Sequence, residues 1–351
     1  MHLPTGSPTP RRRHAAATLA LALVCGCNRG PFPDDPATVE ALAGRPVTAI
    51  AVSDGTLGLA RLGDGSVVDF LGTRYFEAAQ VRSLGTPPCV IGPDDIARCR
   101  PGQSADPVAP IVVAKGVKQI VGFSAPSPNG GDRPFLCVLT TQGLVHCGHD
   151  TWIDGPFVPK PLDGGGKVFV QIGGGRDGVC GRTQEGAVRC WPHDEAKDAI
   201  ATMGQDVAGL GGAVELAVGH QRCVRKGDGS LECWGSATNT LCVPGNGGRD
   251  CPATPTRLPG LQGVVEVAVT TGHTCVRLGT GKVRCWGHSG LFADRSFLSL
   301  EPKEVPSLGG AQAIAVGEVT DCAIVAGGEV KCWGGYHYTG GGGSPFFIPG
   351  R

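Results

Sequence analysis

Downstream of its first three dozen residues the chain alternates apolar and polar positions in short runs broken by glycine, and the same runs return. CVRKGDGSLECWG (223–235), CVRLGTGKVRCWG (275–287) and CAIVAGGEVKCWG (322–334) each alternate on both sides of a Gly-containing centre. That pattern predicts a β-hairpin. Before each hairpin stands a second phrase: VFVQIGGGRDGVC (168–180), AVELAVGHQRC (213–223), VVEVAVTTGHTC (264–275) and AQAIAVGEVTDC (311–322). It reads as a strand entering a glycine turn. A third phrase follows the hairpin as PTRLPGL (255–261), PKEVPSL (302–308) and PFFIPG (345–350). Its prolines suit a short outer strand with an exposed edge. One unit therefore contains about four strands.

Two diverged copies extend the series. VTAIAVSDGTLGL (47–59) matches the upstream phrase, and LARLGDGSVVDFLG (59–72) matches the hairpin with Leu59 and Asp69 where cysteines stand elsewhere. Taking Leu59 as the first marker, successive markers lie 30, 48, 43, 43, 52 and 47 residues apart. The average, about 44, is the length of a four-stranded propeller blade. Seven units predict an all-β, seven-bladed β-propeller over residues 37–351, a single domain. The first interval is short, which points to a first blade without its outer strand. Two segments compete to complete the last blade: PATVEALAG (36–44), which is favoured, and residues 345–350. Composition agrees with many short elements, since 58 Gly and 28 Pro make about a quarter of 351 residues with no every-third-residue period.

The sixteen cysteines sharpen this picture. Six pairs share an interval of ten: Cys89 with Cys99, Cys137 with Cys147, Cys180 with Cys190, Cys223 with Cys233, Cys275 with Cys285 and Cys322 with Cys332. With a three-residue loop such as Gly227-Asp228-Gly229, each pair falls on opposed positions of neighbouring strands, near the separation a disulfide needs. Chain-entropy reasoning gives ~2.8 kcal/mol for each such loop. Cys242 and Cys251 are nine apart and are expected to staple an insertion. Zinc sites usually bring cysteines two to four residues apart, so no metal is expected.

The amino terminus reads as an address. Arg11, Arg12 and Arg13 precede an apolar run from Ala15 to Val24, too short to span a bilayer as a helix. Val24-Cys25-Gly26-Cys27 resembles a bacterial lipobox, with Cys27 as the lipid anchor, although the residues before it depart from the preferred pattern. Residues 1–26 are then a signal peptide and 27–36 (CNRGPFPDDP) a Pro-rich tether to a membrane surface. Loss of three arginines leaves 28 basic against 31 acidic residues. The body is expected outside the cytoplasm, where its fourteen remaining cysteines can pair.

The phrase VxxIAVGxxHTC followed by V-x-C-W-G resembles the regulator of chromosome condensation repeat family, most strongly at 213–235, 264–287 and 311–334. The resemblance implies a seven-bladed propeller. The eukaryotic namesake binds chromatin and promotes nucleotide exchange, but this chain has no basic arm and no run of like charges, so no nucleic acid partner is expected. A secreted bacterial relative inhibits β-lactamases through one propeller face, which makes a secreted inhibitor an alternative reading.

Trp191, Trp234, Trp286 and Trp333 each follow the second cysteine of a hairpin, and recurrence at one position predicts packing between blades. His220 and His273, which follow glycines shortly before a cysteine, are read as turn or packing residues. His146, His149 and His193 follow no pattern and are read as surface residues. Asp64 and Asp228 are read as turn formers. GGGK (164–167) and GTGK (279–282) lack the GxxxxGK[ST] spacing of a phosphate loop, and no GxSxG or HExxH motif occurs. Function on a rigid scaffold resides in loops. The long ones are 122–136, 148–160, 192–212, 236–254 and 335–347, the last carrying Tyr336 and Tyr338. The reading is a monomeric, non-catalytic scaffold without cofactor that binds a protein or glycan. The alternative is an enzyme whose polar residues converge on the central funnel from different blades.

Overall fold

The computed structural model describes residues 37–52, 58–70, 74–76, 83–85, 89–99, 111–149, 157–235, 253–270, 272–288, 298–308, 310–317 and 320–334. These residues form seven antiparallel sheets in which neighbouring strands follow one another in sequence, except where the amino-terminal strand joins the last sheet and a second outer piece joins the fourth. The chain is a seven-bladed β-propeller. Blade 5 shows the pattern: an inner strand Ala213–Val218, a hairpin of Gln221–Lys226 and Leu231–Gly235, and an outer strand Thr256–Arg257. Its turn is the expected Gly-Asp-Gly loop. Gly229 adopts φ +77°, and Ser230 N–H donates to Asp228 Oδ1 at 2.9 Å; the Ser230 hydroxyl and then this N–H lower the Asp228 pKa. Asp64 and Ser66 repeat the bond at 2.8 Å in blade 1.

All six cysteine pairs at interval ten face each other as register partners and form disulfides within their own hairpins. Cys89 is bonded to Cys99 in blade 2, Cys137 to Cys147 in blade 3, and Cys180 to Cys190 in blade 4, with Cα atoms 4.0, 4.1 and 4.0 Å apart. Cys223 is bonded to Cys233 in blade 5, Cys275 to Cys285 in blade 6, and Cys322 to Cys332 in blade 7, each with Cα atoms 4.1 Å apart. Eleven of these twelve residues are buried, Cys99 and Cys147 among them, whereas Cys190 is only partly covered. Leu59 and Asp69 hold the same register in blade 1 without a bridge. Cys27, Cys242 and Cys251 lie outside the described residues.

The core lies between the blades. Each of seven apolar clusters draws on two adjacent blades. Strand alternation explains how: in the third strand, cysteine and the tryptophan after it point to opposite faces. Cys223 and Cys233 of blade 5 thus pack with Trp286 of blade 6, and Cys275 and Cys285 of blade 6 with Trp333 of blade 7. Cys137 and Cys147 of blade 3 meet Trp191 of blade 4 in the same way, and Cys180 and Cys190 of blade 4 meet Trp234 of blade 5. All four indoles are buried.

Two blades depart from the sequence pattern, and the ring closes as it favoured. Blade 1 does have an outer strand, Arg74–Phe76, because three residues suffice after a tight return from Asp69. Ring closure falls to the amino-terminal segment: Ala37 and Thr38 pair with Cys332 and Lys331, completing blade 7 beside Ala313–Val316, Thr320–Ile324 and Val330–Gly334. Val39 and Leu42 then continue into the seam with blade 1. Blade 4 carries two short pieces, Ala199–Ile200 and Gln205–Asp206, against different halves of the strand Val188–Asp194.

Candidate functional site

Strand direction sorts the connections onto two faces. Inner and third strands run one way, second and outer strands the other. One face therefore receives the hairpin turns 63–66, 92–96, 141–144, 184–187, 227–230, 279–282 and 325–329, all short. On the opposite face the third strands end and the outer strands begin, and the sequence between them is longest at 100–110, 150–159, 236–255 and 289–297. This face also holds the long hairpin tip between Val117–Pro126 and Asp132–Thr140. The chain enters this same face at Ala37, because an outer strand starts where a third strand ends.

At the centre of the loop face the inner strands surround a cavity of about 210 Å³. Val52, Val218, Val269 and Val316, each the last residue of an inner strand, supply equivalent positions of four blades. Gly174 replaces valine in blade 4, since a Cβ there would collide with the Phe123 ring. The polar lining comes from Ser124, Thr270, Asp132 and Arg176. Arg176 Nη1 lies 2.7 Å from Asp132 Oδ2 and neutralises it at the rim. The mouth thus sets valines beside polar groups in nearly equal share, with one compensated ion pair at its rim.

Around this mouth, polar side chains link successive blades. His273 Nε2 lies 3.0 Å from both carboxylate oxygens of Asp321 across the blade 6/7 seam, with both side chains buried. Gln221 Nε2 donates to Thr274 Oγ1 across the 5/6 seam. Arg222 approaches Asp177 at 3.8 Å across the 4/5 seam. His220, half-buried in the blade 5 turn, donates its backbone N–H to Thr270 O of blade 6 at 3.2 Å.

Thr270, His273 and Asp321 share the hydroxyl–imidazole–carboxylate order of a nucleophilic relay, because Thr270 Oγ1 lies 3.1 Å from His273 Nδ1. The geometry serves a turn instead. Thr270 Oγ1 accepts the backbone N–H groups of Gly272 and His273, each at 3.2 Å, and is buried. Although Thr270 borders the cavity, this oxygen has its lone pairs engaged by the turn. Cys275 Sγ lies 3.6 Å from Asp321 Oδ2, but its bond to Cys285 removes it as a thiolate ligand, leaving two donors where a metal needs more.

His149 and His193 differ from the surface reading. They are half-buried and flank the Phe135 ring, with centroids at 4.5 and 5.2 Å. Burial lowers the His193 pKa against the pull of Asp198, Glu195 and Asp194. His146 is likewise half-buried, with its pKa lowered by burial.

Sequence reasoning missed a second set of inter-blade links. In blades 3 to 6 a bulge in the inner strand turns one polar side chain toward the next blade. Gln119 accepts from Ile172 N at 2.9 Å and donates to Ile172 O at 2.8 Å; Gln171 does both with Leu216 at 3.0 Å. Glu215 accepts from Val267 N at 3.2 Å and Glu266 from Ile314 N at 3.3 Å. Arg225 and Arg277 hold the two carboxylates at 2.6 and 2.7 Å. Burial raises the Glu266 pKa despite Arg277. The signal was a single Glu or Gln at one place in an otherwise apolar phrase.

Fold and mouth together define a disulfide-stapled propeller with one elaborated face. No family model matches the chain, and no curated protein matches it. Among solved structures it is similar to human WBSCR16, at 16% identity over 82% of this chain and 72% of that one, with a TM-score of 0.50. Neighbours also include yeast RCC1 (Prp20) bound to Kap60, at 16% identity over 84% and 68% of the two chains and a TM-score of 0.47. The CRINKLY WD40 ectodomain of the Arabidopsis thaliana receptor kinase ACR4 gives 17%, 83%, 99% and 0.45. At this identity the likeness speaks to the fold alone.

Proposed function

We propose that the protein is an exported binding scaffold, tethered through a lipid on Cys27, which presents the loop face of its propeller to a protein or glycan. The observation that carries this reading is the asymmetry of the faces: the third-strand ends that lead into the longest connections share a face with the central cavity, and short hairpin turns lie on the other. Six disulfides suit an oxidising compartment, and among the described residues no helix is long and apolar enough to cross a membrane. A domain of residues 37–351 behind a signal peptide and a short tether accords with chain entry at Ala37 on the loop face. The rim chemistry favours docking over catalysis, because Asp132 and Arg176 are spent on each other.

Affinity capture from cell envelopes tests the scaffold. The mature chain is compared with a variant lacking residues 236–254 and with Val269→Arg, which places a charge in the mouth. A partner held by the intact chain and lost from either variant assigns the face. Equal recovery by all three discards the loop face as the contact. Cys27→Ser tests the tether: the protein should move from the membrane to the soluble fraction and lose metabolically incorporated fatty acid.

A further inference from the structure

The six staples share one register but not one cover. Among the described residues eleven of the twelve bridged cysteines are buried, and Cys190 of blade 4 reaches the surface. The residue that follows each outer strand accounts for the difference. Its backbone N–H donates to the third strand two residues before the cysteine: Leu162 to Val145, Val207 to Val188, Leu258 to Leu231, Val305 to Val283 and Val39 to Val330, each at 2.9 Å. The five side chains therefore hold equivalent places. Leu162, Leu258, Val305 and Val39 are buried in the same apolar cluster as their blade's bridge. Val207 is only half-buried and lies at the margin of its cluster, as Cys190 does. In blade 2 Phe157 adds to a half-buried Val113, and both cysteines stay covered. Blade 4 also builds its outer edge in two pieces, and Gln205, from the second and exposed piece, is the register partner of Cys190.

Thiol–disulfide exchange needs a thiolate to reach one of the bonded sulfurs, so burial protects a bridge kinetically whatever its contribution to stability. Five staples are sealed in this sense. We propose that Cys180–Cys190 is a reducible switch in an otherwise sealed set, opened at Cys190 by a dithiol reductant of the oxidoreductase class. The attacking thiolate bonds to Cys190 Sγ, the Cys180–Cys190 bond breaks, and its electron pair leaves on Cys180 Sγ, which takes up a proton. The reductant's second thiolate then attacks its own sulfur in the mixed disulfide, and Cys190 leaves and is protonated in turn. Two electrons and two protons thus pass from the dithiol, which ends as a disulfide, to the blade.

The bridge is placed to matter at the mouth. Cys180 follows the turn that brings Arg176 to the central cavity, and in the same turn the Asp177 carbonyl accepts the His193 N–H at 3.0 Å. Reduction releases Gly178–Thr183 from its cross-link to Val188–Asp194 and loosens that turn, while five buried bridges keep the other hairpins fixed. The effect on a partner rests on the scaffold reading; the lability of the bridge does not.

The test uses the full mature chain, folded, with limiting dithiothreitol as reductant and iodoacetamide to trap freed thiols for peptide mapping. Among the six hairpin pairs, Cys180 and Cys190 should be alkylated roughly tenfold faster than any other. Another pair opening first, or all six opening at one rate, overturns the proposal. Val207→Leu supplies the side chain that blades 3 and 5 have at this place, and it should slow the opening of Cys180–Cys190 severalfold. An unchanged rate contradicts the argument from cover. A dithiol oxidoreductase whose second active cysteine is replaced by serine should be trapped as a mixed disulfide on Cys190; capture on Cys180 refutes the direction of attack. After selective reduction, amides of residues 176–180 should exchange roughly tenfold faster than in the oxidised chain, as local opening requires. Unchanged exchange there removes the switch. None of these measurements involves a partner of the loop face. Failure here leaves envelope capture untouched, and failure of capture leaves the labile bridge to stand.

Discussion

The seam between blades 5 and 6 and the seam between blades 1 and 2 solve one problem with different means. At the first, Cys223, Cys233 and Trp286 join a large apolar cluster, Glu215 bonds Val267 N–H, and Gln221 reaches Thr274. At the second, the cluster is Leu59, Val67, Phe76 and Val90. Blade 1 has no bridge in its hairpin, and Ala49 stands where the other bulges place Gln or Glu, so that position offers no clamp. Where clamp and disulfide coincide, a blade is fixed both within itself and to its neighbour. Blade 1 has neither of these two devices, at a point next to the closure by Ala37 and Thr38.

The largest break in this contrast is reduction of the disulfides. Each staple is worth ~2.8 kcal/mol by chain entropy, so several together rival the ~5–15 kcal/mol of net stability typical of a domain. The reduced protein should lose its cooperative thermal transition, with blades 2 to 7 becoming sensitive to protease. A melt unchanged within a few degrees under strong reductant would show that the seams suffice without the bridges.

Next in size is Asp321→Ala, which strands His273 inside the 6/7 seam. Breaking a buried pair from one side costs ~3–5 kcal/mol, measurable by urea denaturation. A loss below about 1 kcal/mol would mean that the pair only fills space.

Glu266→Ala should cost ~2–3 kcal/mol, because the Ile314 N–H and the Arg277 guanidinium lose their acceptor. Glu266→Gln should cost less, since Gln119 and Gln171 perform the same bond in blades 3 and 4. The pH dependence has a definite sign. Burial raises the Glu266 pKa above its ordinary 4.5, so the folded state holds this proton more tightly than the unfolded chain does. Its contribution is present below pH 4.5 and declines as pH rises through the elevated folded value. The penalty of Glu266→Gln should therefore be larger at pH 4 than at pH 7; the reverse order contradicts the burial argument.

The smallest effect sharpens the contrast by erasing it. Leu59→Cys/Asp69→Cys places cysteines in the register that the other hairpins use. Mass spectrometry should find the bridge, and the oxidised form should exceed the reduced form by ~2–3 kcal/mol, a gain partly offset by ~1–2 kcal/mol of lost Leu59 packing. Failure to oxidise would show that blade 1 departs from the common hairpin geometry.

Much of this architecture was legible because it is local. Strand alternation, a glycine that tolerates a left-handed turn and cysteines ten apart all act within a dozen residues, so Cys223 and Cys233 announce their pairing without reference to the rest of the chain. Repetition extended that reading to seven blades, and even to Leu59 and Asp69, which occupy the cysteine register with unrelated side chains. The clamps were harder, because Glu215 and Val267 are 52 residues apart and only a bulge aims one at the other. His273 showed as a recurring turn residue, but its partner Asp321 sits where blade 5 has Arg222 and blade 6 Thr274, so no repeat signalled the pair.

Sequence alone thus determined the unit, its number and its internal staples, since each depends on contacts close along the chain. Tertiary structure decided how the ring closes, which side chains join the blades and where the central cavity lies. Those outcomes depend on residues brought together from distant blades by closure itself: Ala37 beside Cys332, and Val52 around the same cavity as Val316.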